Sequence, residues 1–413
     1  MKFSKLSQLF LVSSLGLFVA TLLTACDIVT VDFVYVASSA GSGTASNGQI
    51  DIYAVDSGSG AMRTDVASVS TGGVAPVSMA VTSDYANLYV ANAGSKTIVH
   101  FTIGLDGGLT QKDSVTLTAT PVAIAVNAAD TYLYVVSYVP SGTASATLAE
   151  YALSSGAIGT SATASEPLNV GNDTIIPTGT TVLANNAAVF VTAYDQSAYN
   201  PGCTPTPPAT TCTPSTANPG WVFGYAVGSG GAMTAATNSP YQAGVKPSAV
   251  VADPTNRFVY VTDYASSQMI GYSILDGSAL HFMTNGPFKT GNEPSAITID
   301  PRGKFIYLTN ELDNTVGSYS IDLPTGTPTA NSNVTGSPLN STDTRPVAIA
   351  VDPALGQFVY TANYLGNSVT GFVLDPTAGS LKAAQASPYP ITGTKPTAIV
   401  AIPHGNHALQ AVD

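Results

Sequence analysis

The chain has 413 residues, of which 45% are apolar, 8% aromatic and only 9% charged, with a net charge of −12. This apolar fraction, rich in Val, Ile and Tyr, excludes a disordered chain and reads as many short strands joined by polar turns. The scarcity of Lys and Arg excludes a nucleic-acid-binding surface and a basic patch for anionic lipid.

The N-terminus reads as a targeting segment. Lys2 and Lys5 are the only charged residues of the first 26, so the remainder carries 11 basic and 25 acidic residues. Leu9 to Leu23 is an apolar run too short for a stable membrane span. It ends in Leu23-Thr24-Ala25-Cys26, which is similar to the lipobox of bacterial lipoproteins. The expectation is that residues 1–26 are a lipoprotein signal peptide and that Cys26 is lipidated. That places the protein in the cell envelope, held by a lipid anchor on the periplasmic side of a membrane or at the cell surface.

From residue 27 to residue 413 the chain repeats itself, which is the strongest signal in it. Variants of Pro-x-Ala-Ile-x-Val-Asp-Pro start at Pro76, Pro121, Pro177, Pro247, Pro294, Pro346 and Pro396. An aromatic-Val-Thr/Ala-Asn pattern centres on Tyr35, Tyr89, Tyr134, Phe190, Tyr260, Tyr307 and Tyr360. A third pattern places an aromatic two residues before an aliphatic, from Tyr53/Val55 to Phe372/Leu374. Each reads as an alternating strand, and a weaker fourth strand follows each Gly-rich turn. Four strands per unit and seven units predict an all-β, seven-bladed propeller. The repeat begins on a second strand and ends on a first strand (Pro396–Ile402). The last strand is therefore expected to complete the first blade and close the ring. In blade 4, residues 194–220 form a Pro- and Thr-rich insertion carrying Cys203 and Cys212. Export favours a local disulfide between them, and no nearby His supports a metal site.

In a propeller, the turn after each second strand and the approach to each first strand share one face, around a mouth of the central channel. Ends of second strands place Tyr138, Tyr194, Tyr264 and Tyr364 there, with Asp263, Asn310, Glu311 and Asn363. Residues just before the first-strand prolines add Lys246, Glu293, Arg345 and Lys395. Flat rings with hydroxyls suit sugars and peptides. Asp253-Pro254, Asp300-Pro301 and Asp352-Pro353 read as turn residues rather than metal ligands. No G-x-S-x-G or Gly-rich phosphate motif occurs.

Pro346-Val-Ala-Ile-Ala-Val-Asp-Pro353 followed by Gln357-Phe-Val-Tyr-Thr-Ala-Asn363 resembles the seven-bladed lactonase propellers, a family of 6-phosphogluconolactonase-type and muconate-lactonizing-type enzymes. The resemblance implies a channel-mouth site built from His, Arg and Glu. The family's Asn-Glu-Leu is kept as Asn310-Glu311-Leu312. Its Pro-Arg-His reads Pro294-Ser295-Ala296, its Pro-His reads Pro247-Ser248, and an Arg after the last-blade Asn is replaced by Tyr364. The expectation from these losses is a binding module for a glycan, peptide or partner protein, monomeric and without metal or cofactor. The alternatives are a metal-independent lactone hydrolase using Glu311, Arg345 and Lys246, whose mark is convergence of the three, and a structural envelope protein.

Overall fold

A computed structural model describes residues 29–40, 47–140, 146–196, 219–331, 341–353 and 355–404. Residues 1–28, with Cys26, lie outside the described residues, as do Cys203 and Cys212. The architecture is all-β, and the described residues form seven antiparallel sheets in a ring and two 3₁₀ turns at Ser229–Gly231 and Asp276–Ser278. No helix among the described residues is long and apolar enough to cross a membrane.

Each blade runs from an inner first strand to an outer fourth. In blade 5 these are Pro247–Ala252, Phe258–Asp263, Gln268–Ile274 and Leu280–Phe282. Blade 6 repeats the order with Pro294–Ile299, Phe305–Asn310, Thr315–Ile321 and Pro328–Ala330. Blade 7 does so with Pro346–Val351, Phe358–Asn363, Ser368–Leu374 and Leu381–Ala383. Blade 1 is composite, as the register predicted. Its second strand, Thr30–Ala40, pairs with the third, Gln49–Asp56, and on its other edge with the closing strand, Thr394–Pro403.

The core is seven cores, one between each pair of neighbouring blades. The sequence suggests strands with one wet face, but the structure differs. The second strands of blades 2, 5, 6 and 7 are buried at every residue. A second strand is sandwiched between the blade before and the blade after, so both its faces need apolar or hydrogen-bonded side chains.

Two sets of tyrosine hydroxyls clip neighbouring blades together. From the second strands, Tyr35, Tyr89, Tyr260 and Tyr307 each donate to a Gly carbonyl in the third-to-fourth-strand turn of the next blade. The acceptors are Gly107, Gly156, Gly326 and Gly379, at 2.6–2.9 Å. These glycines are obligatory. Gly326 has φ +73°, and a Cβ there would sit 2.4 Å from the Phe258 ring of the blade before. From the third strands, Tyr53, Tyr225 and Tyr319 donate backwards to Pro390, Pro167 and Lys289 carbonyls at 2.8–3.1 Å. Tyr260→Phe is expected to lower stability by about 1–3 kcal/mol, because it strips a buried carbonyl of its donor while keeping the ring. A fall in the urea midpoint with an unchanged m-value checks this; an unchanged midpoint refutes the clip.

Candidate functional site

Seven β-bulges shape the channel mouth. In every blade the register slips at the residue after the first-strand proline, as between Pro247 and Ala249, Pro294 and Ala296, and Pro346 and Ala348. A bulge re-aims the extra side chain. Those seven residues all line the central channel, a space of about 230 Å³ walled by small, uncharged side chains. Three of them stitch the ring. Ser248 Oγ donates to Pro294 O at 2.6 Å, Ser295 Oγ to Pro346 O at 2.9 Å, and Thr397 Oγ1 to Pro76 O at 2.7 Å. The two serines stand where the resembled family places Pro-His and Pro-Arg-His. Here these positions serve inter-blade bonding.

Above the bulges the chain turns into each first strand through a repeated backbone bond. The amide after the second strand donates to the carbonyl before the proline: Tyr264 to Lys246, Glu311 to Glu293 and Tyr364 to Arg345, at 2.8–2.9 Å. This bond holds the predicted mouth residues in pairs, blade by blade. Glu293, Arg345 and Lys395 adopt left-handed φ of 53–58°. Ala75 does the same, with φ 55°. The strain therefore belongs to the repeat rather than to charge at the mouth.

Asp263, Asn310 and Asn363 lie beneath the mouth, at most 3% exposed. Asp263 accepts from the Val245 and Lys246 amides at 3.0 and 2.9 Å and from Gln268 Nε2 at 3.0 Å. Asn310 Nδ2 reaches Thr315 at 3.1 Å, and Asn363 Nδ2 reaches Ser368 and Thr370 at 3.0 and 2.9 Å. In these positions the three side chains set the loops that carry the site. Gly244 yields the space for this: a Cβ there would fall 2.1 Å from Asp263 Oδ2, and its φ is +77°.

Blades 4 to 7 bring together a compact charged cluster. Arg345 Nη2 lies 2.7 Å from Glu311 Oε1 and 3.7 Å from Glu293 Oε2. The Tyr264 hydroxyl donates to Glu293 Oε2 at 2.7 Å. The Lys246 ammonium sits over the Tyr264 ring at 4.7 Å and 5.7 Å from the centre of the Tyr194 ring. Glu311 is the more sheltered acid, with its side chain 15% exposed against 32% for Glu293. Burial holds the Glu311 carboxyl above the usual carboxylate range, although Arg345 and Lys246 pull it down. Burial lowers the Lys246 ammonium below its ordinary value, although Glu293 and Glu311 oppose this. Burial and the bond to Glu293 push the Tyr264 hydroxyl up.

Lys395, on the closing strand, holds its ammonium 5.9 Å from the Tyr364 ring centre. Tyr138 instead packs against the apolar core between blades 3 and 4. Leu312 and Leu365 follow Glu311 and Tyr364 and are 57% and 50% exposed. They put apolar surface on the same rim. The sequence held a signal for them, two leucines at one repeat position, that repeat reading centred on polar residues passes over. Among the described residues no group of three or more His, Cys, Asp or Glu could hold a metal.

The Asp-Pro residues fall at turns as expected. Asp253 and Asp300 each accept two backbone amides through Oδ1 at 2.7 Å.

Comparison with known proteins agrees with this architecture. Residues 231–411 match the family model "Lactonase, 7-bladed beta-propeller". No curated protein sequence matches the chain. Among solved structures, the Pseudomonas aeruginosa periplasmic gluconolactonase aligns with TM-score 0.70 at 16% identity, covering 90% of this chain and all of that one. A Bacteroides fragilis protein provisionally described as a 6-phosphogluconolactonase aligns with TM-score 0.67 at 16% identity, over 92% and 99% of the two chains. A functionally unknown Desulfotomaculum acetoxidans protein aligns with TM-score 0.63 at 14% identity, over 92% and 99%. At these identities the likeness is one of fold. The chain folds as a seven-bladed β-propeller, and residues 231–411 of it match the model of the seven-bladed lactonase family.

Proposed function

We propose that this propeller is an exported lactone hydrolase whose reaction takes place at the channel mouth, on a small sugar-type lactone. The observation that carries the reading is the Arg345–Glu311 contact at 2.7 Å, with the Lys246 ammonium over the Tyr264 ring of the neighbouring blade at 4.7 Å. The gluconolactonase fold likeness points the same way. A Cys26 lipid anchor, envelope location and a Cys203–Cys212 disulfide belong to the same proposal.

The chemistry follows from the placement. Arg345 fixes Glu311 through Oε1, which leaves Oε2 for a water molecule. Glu311 takes a proton as the water oxygen attacks the lactone carbonyl carbon. The developing oxyanion faces Lys246, whose ammonium supplies charge-assisted donors in a partly desolvated setting. Collapse breaks the ring C–O bond, and the proton held by Glu311 passes to the alkoxide. The product is an open hydroxy acid. Tyr264 and Tyr364, both half-buried at the mouth, offer ring surface to a sugar, whereas Tyr194 is buried beneath Lys246.

The pH dependence follows from the two shifts. Glu311 must be ionised, so kcat/KM rises with pH through an acid limb above the usual carboxylate range. Lys246 must be charged, so kcat/KM falls on an alkaline limb below the ordinary lysine value. Lys246→Met is expected to remove that alkaline limb and lower kcat/KM by about 10²-fold. The assay is acid release from aldonolactones in a pH-stat, with spontaneous opening subtracted. Residues 29–404 contain every strand of the ring, so residues 27–413 serve as the enzyme. No release above background from any lactone defeats the reading.

A second reading, a sugar- or peptide-binding module, is favoured by the conversion of the family's Arg and His positions to ring-stitching serines. It predicts binding to glycan arrays that Tyr264→Ala abolishes, without turnover.

A further inference from the structure

Three seams lack the forward clip: blade 4 carries Phe190 at that position, Tyr134 of blade 3 is set against Glu150, and at the seam between blade 7 and blade 1, where the ring closes, the tyrosine hydroxyl is left without a partner. The closing seam keeps its backward clip, Tyr53 to Pro390 O at 2.8 Å. Its forward clip is missing. Tyr360 occupies the position of Tyr35, Tyr89, Tyr260 and Tyr307, and Gly60 presents the usual left-handed turn opposite, with φ +68°. Yet the buried Tyr360 hydroxyl has no hydrogen-bond partner.

An acid pair sits there instead. Asp32, near the start of the second strand of blade 1, and Asp352, in the first turn of blade 7, are both 0% exposed. Neither oxygen of Asp32 meets a hydrogen-bond donor. What lies within hydrogen-bonding contact of it is the Asp352 carboxyl, which is itself an acceptor unless protonated. Asp352 is tied by the Leu355 and Gln357 amides, each at 3.1 Å. The counterparts in blades 5 and 6 take two 2.7 Å bonds on one oxygen, and their turns are one residue shorter. At Asp32's own repeat position the other blades carry Ala86, Thr131, Ala187, Arg257, Lys304 and Gln357, none of them acidic.

Two buried carboxylates in contact cannot both ionise without a proton or a cation between them. The other titratable groups facing Asp32 are the Tyr360 hydroxyl from the blade 7 second strand and the Tyr85 hydroxyl from the first turn of blade 2. His404 on the closing strand donates its backbone amide to Val31 O at 2.8 Å. Arg302 is engaged with Asp300 at 2.7 Å, and Arg63 with Thr30 at 3.2 Å and Asp65 at 3.5 Å.

We propose that Asp32 and Asp352 share one proton, and that this proton takes the place of the missing tyrosine clip, so that closure of the ring is sensitive to pH. Burial, with the Asp352 charge added, holds the Asp32 carboxyl well above the usual aspartate range. The folded chain therefore keeps a proton that the unfolded chain releases. The pair's contribution to stability is fully present below the ordinary aspartate range and is lost as pH rises towards the folded value. Above that, two buried charges push blade 7 and blade 1 apart.

The test compares thermal midpoints of residues 27–413 with those of Asp32→Asn between pH 4.5 and pH 9, in chelator and with added calcium. An amide supplies its own donor to Asp352. The variant is expected to melt at least about 2 °C above the parent at pH 8 and to lose that advantage at pH 4.5. Asp352→Asn provides a second route, because Asn127 in blade 3 holds the same turn through amides at 2.9 Å. A difference between variant and parent that stays constant with pH overturns the proposal. So does calcium that stabilises the parent and neither variant, which would make the pair a cation site. The readout is stability, so it stands or falls apart from the lactone assay.

Discussion

Glu311→Gln is expected to reduce lactone hydrolysis by about 10²–10⁴-fold, the usual contribution of a positioned general base. The amide keeps the size of the side chain and an oxygen for Arg345, whose guanidinium lies 2.7 Å from Oε1. It cannot take a proton from water. The loss therefore falls on kcat, while KM and the melting temperature stay near the parent's. The acid limb of the pH profile should vanish along with the activity. Equal losses in kcat and stability would instead make Glu311 an ion-pair residue that supports blades 6 and 7. Full activity in the variant would remove lactone hydrolysis at this mouth from consideration.

Ending the chain at residue 393 is expected to abolish the folded ring. That truncation removes the closing strand, Thr394–Pro403, and leaves one edge of Thr30–Ala40 unpaired over its whole length. It also takes Ala398, Ile399 and Ile402 out of the two cores flanking blade 1. Burying each of the two isoleucines is worth about 1.5–3 kcal/mol, and the lost ladder and open edge add to that. Total stabilities are only about 5–15 kcal/mol, so little remains. Circular dichroism should show no cooperative transition, and size exclusion should show aggregates. A synthetic peptide of residues 394–404 added during refolding should rescue part of the material by strand addition. A truncated chain that melts cooperatively near the parent's temperature would mean that six complete blades suffice.

The ring itself was legible in the sequence. Three patterns repeated seven times gave the blade number, and the offset between the first and last motifs gave the closing strand. What escaped was anything set by pairing register rather than by residue type. The bulge after each first-strand proline leaves no compositional mark, yet it turns Ser248 and Ser295 into stitches. Burial on both faces of the second strands comes from the neighbouring blades, which a local pattern does not contain. The candidate site was half visible. Glu311 stood out through Asn310-Glu311-Leu312, and Lys246, Glu293 and Arg345 through their shared repeat position. That Glu293 accepts from Tyr264 while Glu311 pairs with Arg345 depends on side-chain reach across three blades. Asp263, Asn310 and Asn363 were read as ligand contacts because polar groups at a mouth look alike in sequence, whether they face a ligand or brace a loop.

The two ends of the ring meet. His404 N–H donates to Val31 O at 2.8 Å, one residue from where the blade 1 second strand pairs with Pro403. Geometrically the circle has no first blade. Circularly permuted chains, with residue 404 joined to residue 29 by a short linker and new termini opened between two other blades, keep every sheet and every inter-blade core. Such permutants move the covalent break away from the acid pair. They therefore separate what the seam owes to its two carboxyls from what it owes to being the place where the backbone is cut.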